Sequence, residues 1–282
     1  MAISVNTNLA SLTAQKSLNG ATTRMNTAME RMSTGFRINS SKDDAAGMAV
    51  STKLDYKLSS LNVAADNVQM GTALLDTAEG VLGTLNDNLV RIRDLTEQAA
   101  NGTYGSDSLT AIMQEVQARV DEITRLSETV EFNGKFLLND SITEGIKLQV
   151  GIKADDNSVI TLDKSLFKTA AASVILNVAG GDITDKYKDD STARAFLNNI
   201  DSALANITER MARIGGIQQR LISCLEANEA MSSSVTSSLS TIQDADVAAE
   251  SANYIKEQIL QQISTSMLST ANQAPSIALN LI

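Results

Sequence analysis

The 282 residues carry a net charge of −10, no His, no Trp, one Cys and an aromatic fraction of 3%. Without His there is no Ser–His triad and no zinc site of the usual ligand count, and the lone Cys224 makes no intrachain disulfide. An acidic chain without a basic run offers no surface that tracks phosphates, so nucleic acid is excluded as a partner. No stretch of about 18 apolar residues is present to span a membrane. The N-terminus lacks the charged and apolar regions of a secretory signal peptide. Abundant Ala and few aromatics suit slender helices packed along their length and do not suit a deep globular core. The length allows one or two domains, and the single proline, Pro275, obliges no break in any earlier helix. By composition alone the chain is a cytosolic or self-assembling helical rod.

In chain order, Leu18, Ala21, Met25, Ala28 and Met32 recur at three- and four-residue steps. That is the seam of a coiled coil or of an amphipathic core helix. Gly35 follows the last periodic residue, where a helix C-cap needs positive φ. Ser40, Ser41 and Asp43 are N-cap candidates for the turn that follows. A connector is expected over residues 41–56. From Leu58 through Leu61, Ala65, Val68, Leu75, Leu82, Leu89 and Leu95 to Ala99 the same spacing continues. A helix over 57–100 would be roughly 65 Å long, beyond an ordinary globular helix.

Asn101-Gly102 ends that pattern, and Gly105-Ser-Asp-Ser108 caps a third helix with Leu109, Ile112, Val116, Val120, Ile123 and Leu126 as its seam. Phe132-Asn-Gly134 is a turn signal. At Ile146, Leu148 and Val150 the period becomes two, and Val159-Ile-Thr-Leu162 follows across Asp155-Asp-Asn-Ser158. The pattern predicts a β-hairpin. Residues 163–190 are Gly- and Asp-rich and show no dominant period. From Thr192 a helix returns, with Ile200, Leu204, Ile207, Met211, Ile214, Leu221, Leu225, Val235, Leu239 and Ile242 on one heptad frame. Gln218, Asn228 and Ser232 are its polar positions. Gly215-Gly216 inside it costs roughly 2 kcal/mol relative to Ala, which a neighbour passing close over the glycines would explain. A last stripe runs through Ile255, Ile259, Ile263, Met267, Ala271, Ala274, Ala278 and Leu281.

An apolar stripe needs a partner. The economical arrangement pairs the N-terminal helix with the C-terminal one, and residues 57–130 with 192–240. The expected fold is mainly α: a long antiparallel helical rod or coiled coil with a small β-hairpin region at the far tip. The expected domains are a terminal coiled coil (1–40 with 245–282), the connector (41–56), a rod domain (57–150 with 190–244) and a short variable tip (151–189). A thin terminal pair leaves apolar surface exposed in a monomer, so the ends are expected to order against neighbouring subunits.

Among candidate sites, Asp43-Asp44 and Asp244-Ala-Asp246 suit helix capping or pairing with Arg37 and Lys42, since neither forms a recognisable metal loop. Gly35, Arg37, Asn39, Asp43 and Gly47 read as hinge and packing residues, and Ile255, Ile259, Ile263 and Met267 as a subunit-packing face. Cys224, beside Leu221 and Leu225, reads as a partly buried, inert thiol. No residue set points to catalysis or a cofactor.

The stretch Arg31-Met-Ser-Thr-Gly-Phe-Arg-Ile-Asn-Ser-Ser-Lys-Asp-Asp-Ala-Ala-Gly-Met-Ala49 resembles the N-terminal signature of bacterial flagellin. Met1-Ala-Ile-Ser-Val-Asn-Thr-Asn-Leu9, Phe132-Asn-Gly134, Ile242-Gln-Asp-Ala-Asp246, Gln258-Ile-Leu-Gln-Gln262 and Ala271-Asn-Gln-Ala-Pro275 are also similar to that family. The resemblance covers residues 1–150 and 190–282 and lacks the large outer domains that many members insert. It implies an extracellular structural subunit, exported uncleaved through the flagellar type III channel, that polymerises into the filament used for motility. In such a filament the terminal domain lines the core and the next domain forms the surrounding tube. Implied partners are further copies of the chain, an export chaperone, and the cap and hook-junction proteins. In members recognised by an innate-immune Toll-like receptor, an Arg, a Leu and a Glu form the recognition surface. Arg91, Leu95 and Glu115 stand at those places, with Arg119 one turn beyond and Asp94 where the family usually has Glu. Leu95 also falls on the seam, where core packing accounts for it. The rival reading, a hook–filament junction protein, shares the end helices, but the ending from Ala271 to Ile282 favours flagellin.

Overall fold

The computed structural model describes residues 7–279; the stripe position expected at Leu281, and the side chains of Ala274 and Ala278, lie outside what it describes. The chain divides into two compact units, residues 1–58 with 233–282 and residues 59–232.

In the first unit α1 (Leu9–Thr34) starts where the Asn8 side chain accepts from the Ser11 N–H at 3.0 Å. It ends at Gly35, whose φ of 76° is left-handed and whose N–H donates to Arg31 O at 2.9 Å. α6 (Val247–Leu279) starts where Asp246 Oδ1 accepts from the Ala248 and Ala249 N–H groups at 2.9 and 3.1 Å. The two helices pack antiparallel, as the expected end-to-end pairing requires. Ala14, Ala21 and Ala28 are buried at seven-residue intervals on α1, and Glu257 and Ser264 at the same interval on α6. These short side chains bring the backbones close but bury little apolar area, so polar pairs fix the register. Arg24 meets Glu257 at 2.9 Å and Arg31 meets Glu250 at 3.0 Å. Gln261 donates to Thr22 at 3.2 Å, and Asn8 Nδ2 to the Ala271 carbonyl at 2.7 Å. Residue numbers rise along one helix as they fall along the other.

The second unit is built from parts of two long helices, α2 (Ala45–Ala99) and α5 (Asp190–Gln243), with α3 (Ser106–Thr129) between them in sequence. Here the seam is mainly apolar: Leu75, Leu82, Leu85, Leu89 and Ile92 of α2, Val116 and Ile123 of α3, and Ile200, Ile207 and Leu221 of α5 are fully buried. Gln218, a polar position of the heptad frame, donates from one Nε2 to Asp76 and Glu79, both at 2.8 Å.

Two small antiparallel ribbons lie between α3 and α5 in sequence. β1 (Glu131–Phe132) and β2 (Lys135–Phe136) turn tightly through Asn133 and Gly134, both left-handed at φ 49° and 75°. β3 (Ile146–Gln149) pairs with β4 (Val159–Leu162), Ile146 opposite Leu162, which is the hairpin that the two-residue period predicts. Its place differs from the far tip expected for it. Asn67 of α2 donates to the Gln149 carbonyl at 3.1 Å and the buried Asn228 of α5 to the Val150 carbonyl at 2.9 Å. A side chain at Gly71 would collide with Leu148, so this glycine admits the strand onto the helix. The hairpin therefore lies beside Asn67 and Asn228, away from the α2–α3 turn.

Three further features depart from expectation. α2 begins at Ala45, inside the expected connector, because Asp44 Oδ1 caps it, accepting from the Ala46 and Gly47 N–H groups at 3.0 and 2.9 Å. Residues 163–187 fold into short 3₁₀ turns and one turn of helix, α4 (Ala172–Ile175), that bury Leu166, Phe167, Leu176, Ile183 and Tyr187. Phe167 and Tyr187 are buried here, and with Phe196 of α5 they are the deeply buried aromatics among the described residues. Tyr187 meets Phe196 edge to face at 6.1 Å and shares a hydrogen bond with the Thr96 hydroxyl, while burial pushes its phenol up to about 12. Finally, no neighbour passes over Gly215-Gly216. A Cβ on Gly216 would meet nothing within 4 Å, and one on Gly215 only Gln218 at 4.0 Å.

Candidate assembly surfaces

The connector residues come together with the α5–α6 junction in one clasp. Arg37 donates from its backbone N–H to Gln243 O and from its guanidinium to Ile242 O, each at 2.6 Å. Ala245 N–H returns to Gly35 O at 2.8 Å, and Phe36 bridges Asp244. Asn39 Nδ2 donates to Phe36 O at 3.2 Å. Asp43 Oδ2 accepts from the Ser40 N–H, the Ser40 hydroxyl and the Asn39 N–H at 3.0, 2.9 and 3.3 Å. The Ser40 hydroxyl bond leads the causes that hold the Asp43 carboxyl below its ordinary value. Gly47 has no room for a side chain, since a Cβ would lie 2.5 Å from Asp44 Oδ2 and 2.6 Å from Ile38 Cδ1. All five connector residues thus act on backbone geometry and packing. The Asp43-Asp44 pair terminates turns and caps α2, and Asp246 caps α6.

On α6 the apolar stripe faces away from α1. Ile255, Ile259, Ile263 and Met267 recur every fourth residue and stand 55%, 50%, 50% and 61% exposed, whereas the face against α1 carries Glu250, Glu257, Gln261 and Ser264. The fully buried positions of α6 are the polar Glu257 and Ser264, with Tyr254, Leu260 and Leu268 half-buried, while four of its large apolar residues turn outward. The Arg24 side chain, chiefly through its hydrogen bond, holds the Glu257 carboxyl below its ordinary value. α1 also exposes large apolar residues, Leu9, Leu12 and Met29. This inner polar seam escapes a search for apolar periodicity. Its signal was the seven-residue spacing shared by Arg24 and Arg31 on one helix and by Glu250 and Glu257 on the other.

On the second unit, the guanidinium of Arg91 grips Glu115 Oε1 with Nε and Nη2 at 3.3 and 3.2 Å. Arg119 joins the same oxygen at 3.4 Å and donates to Asn88 Oδ1 at 3.2 Å. Arg91, Glu115 and Arg119 therefore form one partly exposed charged network across α2 and α3. Leu95 is not part of it: at 3% exposure it belongs to the core. Cys224 is half-buried and packs against the core cluster. Among the described residues no three acidic or Cys side chains converge on a metal position, and no helix is long and apolar enough to cross a membrane.

Comparison with known proteins adds the relatives. Residues 5–143 match the family of the bacterial flagellin N-terminal helical region, and residues 197–282 that of the C-terminal helical region. The chain is 36% identical to a flagellin of Listeria monocytogenes and 34% identical to one of Halalkalibacterium halodurans, with 99% of this chain and 99% of each relative aligned. The crystal structure of Bacillus cereus FlgL superposes with a TM-score of 0.50 over 68% of this chain and 99% of that one. At 15% identity this is a likeness of fold alone.

Proposed function

The chain belongs to the bacterial flagellin family and is a structural subunit of the flagellar filament, and from that premise we propose that the outward face of α6 is where one subunit grips the next. The single observation that supports this is the exposed stripe of α6: four large apolar residues on the face that α1 leaves open. Burying each contributes roughly 1.5–3 kcal/mol, and every added subunit repeats the gain. A contact between this face and a different surface of the next copy propagates a helical filament when its rotation does not close a ring. The connector clasp serves as the hinge and packing element of the terminal unit, and the filament lies outside the cell. Before assembly the same apolar stripe needs a cover, the role of a flagellar export chaperone during uncleaved passage through the type III channel. The cap and hook-junction proteins take the place of further copies at the filament's two ends.

The test is the pair Ile259→Asp with Ile263→Asp. Each change places a carboxylate in an apolar contact, where an unpaired charge is strongly disfavoured. Seeded polymer should no longer sediment, while the circular-dichroism melt of residues 59–232 stays in place. Normal filaments would remove the stripe from the subunit contact; a collapsed melt would assign it to the monomer's own core.

A second surface, Arg91 with Glu115 and Arg119, is proposed as the contact for an innate-immune Toll-like receptor in the unassembled subunit. Its partly exposed ion-pair network, with both arginines on one Glu115 oxygen, is the supporting observation. Arg91→Ala with Glu115→Ala should weaken signalling in a reporter cell line, and unchanged potency would reject the assignment.

A further inference from the structure

Three Asn-Gly pairs occur in the chain, at Asn19-Gly20, Asn101-Gly102 and Asn133-Gly134, and we propose that Asn101 is a site of spontaneous covalent modification, set apart from the other two by the fold. Asn is among the thermolabile residues, and a following Gly removes the Cβ that would hinder attack on its side chain. In the reaction the Gly102 backbone nitrogen attacks Cγ of Asn101. A new N–C bond forms, the side-chain nitrogen leaves as ammonia, and a cyclic imide results. Water then opens the ring at one of its two carbonyls, yielding Asp or, with the main chain rerouted through Cγ, isoaspartate. No oxidant or cofactor enters the balance.

What separates the sites is how firmly each backbone is held. Gly20 lies inside α1, where its N–H serves the helix and the peptide plane is fixed. Asn133 and Gly134 are exposed, but they are the central residues of a tight turn at φ 49° and 75°. The ladder pairs Phe132 with Lys135 and Glu131 with Phe136 on either side. Bringing the Gly134 nitrogen to Cγ means rotating the chain out of that turn and breaking the ladder. Asn101 and Gly102 are equally exposed, just beyond α2, and no ladder flanks them. The turn is closed by contacts near the outer limit of hydrogen bonding: Tyr104 N–H to Asn101 O at 3.3 Å and Thr103 N–H to Asn101 Oδ1 at 3.3 Å. The Asn101 side chain thus already lies over the backbone that follows it.

The product has a local consequence. A carboxylate appears at the C-terminal end of α2, where the helix dipole disfavours negative charge. It lies close to Asp190, whose Oδ2 is 3.8 Å from where a Gly102 side chain would start. Arg194, which donates to the Ala100 carbonyl at 3.4 Å and pairs with Asp190 at 3.7 Å, is the neighbouring cation.

The experiment incubates the purified full-length chain in mildly alkaline buffer and follows amide loss and isoaspartate at each peptide by mass spectrometry. In the folded protein Asn101 should convert several-fold faster than Asn133. In urea the two identical dipeptides should convert alike, showing that the fold sets the order. Gly102→Ala, a change that meets only an ordinary contact, should fold normally and slow conversion at Asn101 several-fold. Equal folded rates at the two turns, a faster Asn133, or a Gly102→Ala variant that converts at the original rate would each overturn the proposal.

Discussion

Between α1 and α6 the buried positions are Ala14, Ala21 and Ala28 on one helix and Glu257 and Ser264 on the other, whereas inside residues 59–232 they are Leu82, Leu85, Leu89, Ile92 and Ile123. The second unit removes its own large side chains from water and so carries its own hydrophobic stabilisation. The terminal unit fully buries only small and polar groups in its seam, half-buries Leu18, Met25 and Met32, and turns Ile255, Ile259, Ile263 and Met267 outward. The difference teaches that a coiled coil can be specified in register by ion pairs yet left short of apolar burial, which further copies of the chain are proposed to supply.

The comparison can be broken at its strong side first. Phe196, 2% exposed and stacked edge-on to Tyr187, is central to the core of residues 59–232. Phe196→Ala should cost about 3–5 kcal/mol, read as a lower urea midpoint of the main transition. A shift confined to the terminal helices would mean the two units are not distinguished as described. At the weak side, Ala21→Leu overfills the close seam of α1 and α6. A loss of about 1–3 kcal/mol is expected in the unfolding of the terminal pair, with the 59–232 transition unmoved. Hydrogen exchange resolved by peptide would separate the two.

Titration sharpens the contrast further. The carboxyl of Glu257 is depressed in the folded pair, so the stability it lends is fully present above its unfolded value. That stability is lost as pH falls through the folded value, below the ordinary carboxylate range. Acid should therefore loosen the α1–α6 pair. Glu257→Gln should flatten that part of the acid transition by circular dichroism; an identical acid curve would take Glu257 out of the seam's stability. The smallest effect concerns Gly216, which sits in α5 with open space above it. Gly216→Ala should stabilise the monomer by about 1 kcal/mol, read as a higher thermal midpoint, and a destabilised variant would contradict the open space at this position.

Much of the helical plan was legible in the sequence because periodicity reports burial directly. The seam from Val68 to Ala99 and that from Val116 to Ile123 emerge as the core in place, while before them Ala64 and not the expected Ala65 is buried. The alternation at Ile146, Leu148 and Val150 emerges as a hairpin edge. Three things were hidden for physical reasons. Residues 45–54 bury the polar Ser51 and leave Ala45, Ala49 and Val50 exposed, so the start of α2 leaves no apolar period to read. Residues 163–187 fold through turns too short to show a period, although they bury Phe167 and Tyr187. The stripe on α6 is true to its period, but a period states that a face is apolar and not which partner covers it. Leu95 shows the converse, since its family resemblance pointed to a surface while its seam position pointed to the core where it lies.

The seven-residue interval of Ala14, Ala21 and Ala28 carries a geometric consequence for handedness. An α-helix drifts by about 20° per heptad against an exact 3.5-residue repeat, and keeping the contact line requires winding to the left. The 26 residues of α1 span roughly 39 Å against a usual pitch of about 150 Å, so the pair completes roughly a quarter of one left-handed superhelical turn. The sense of twist at the chain's two ends is thereby written into the spacing of three alanines.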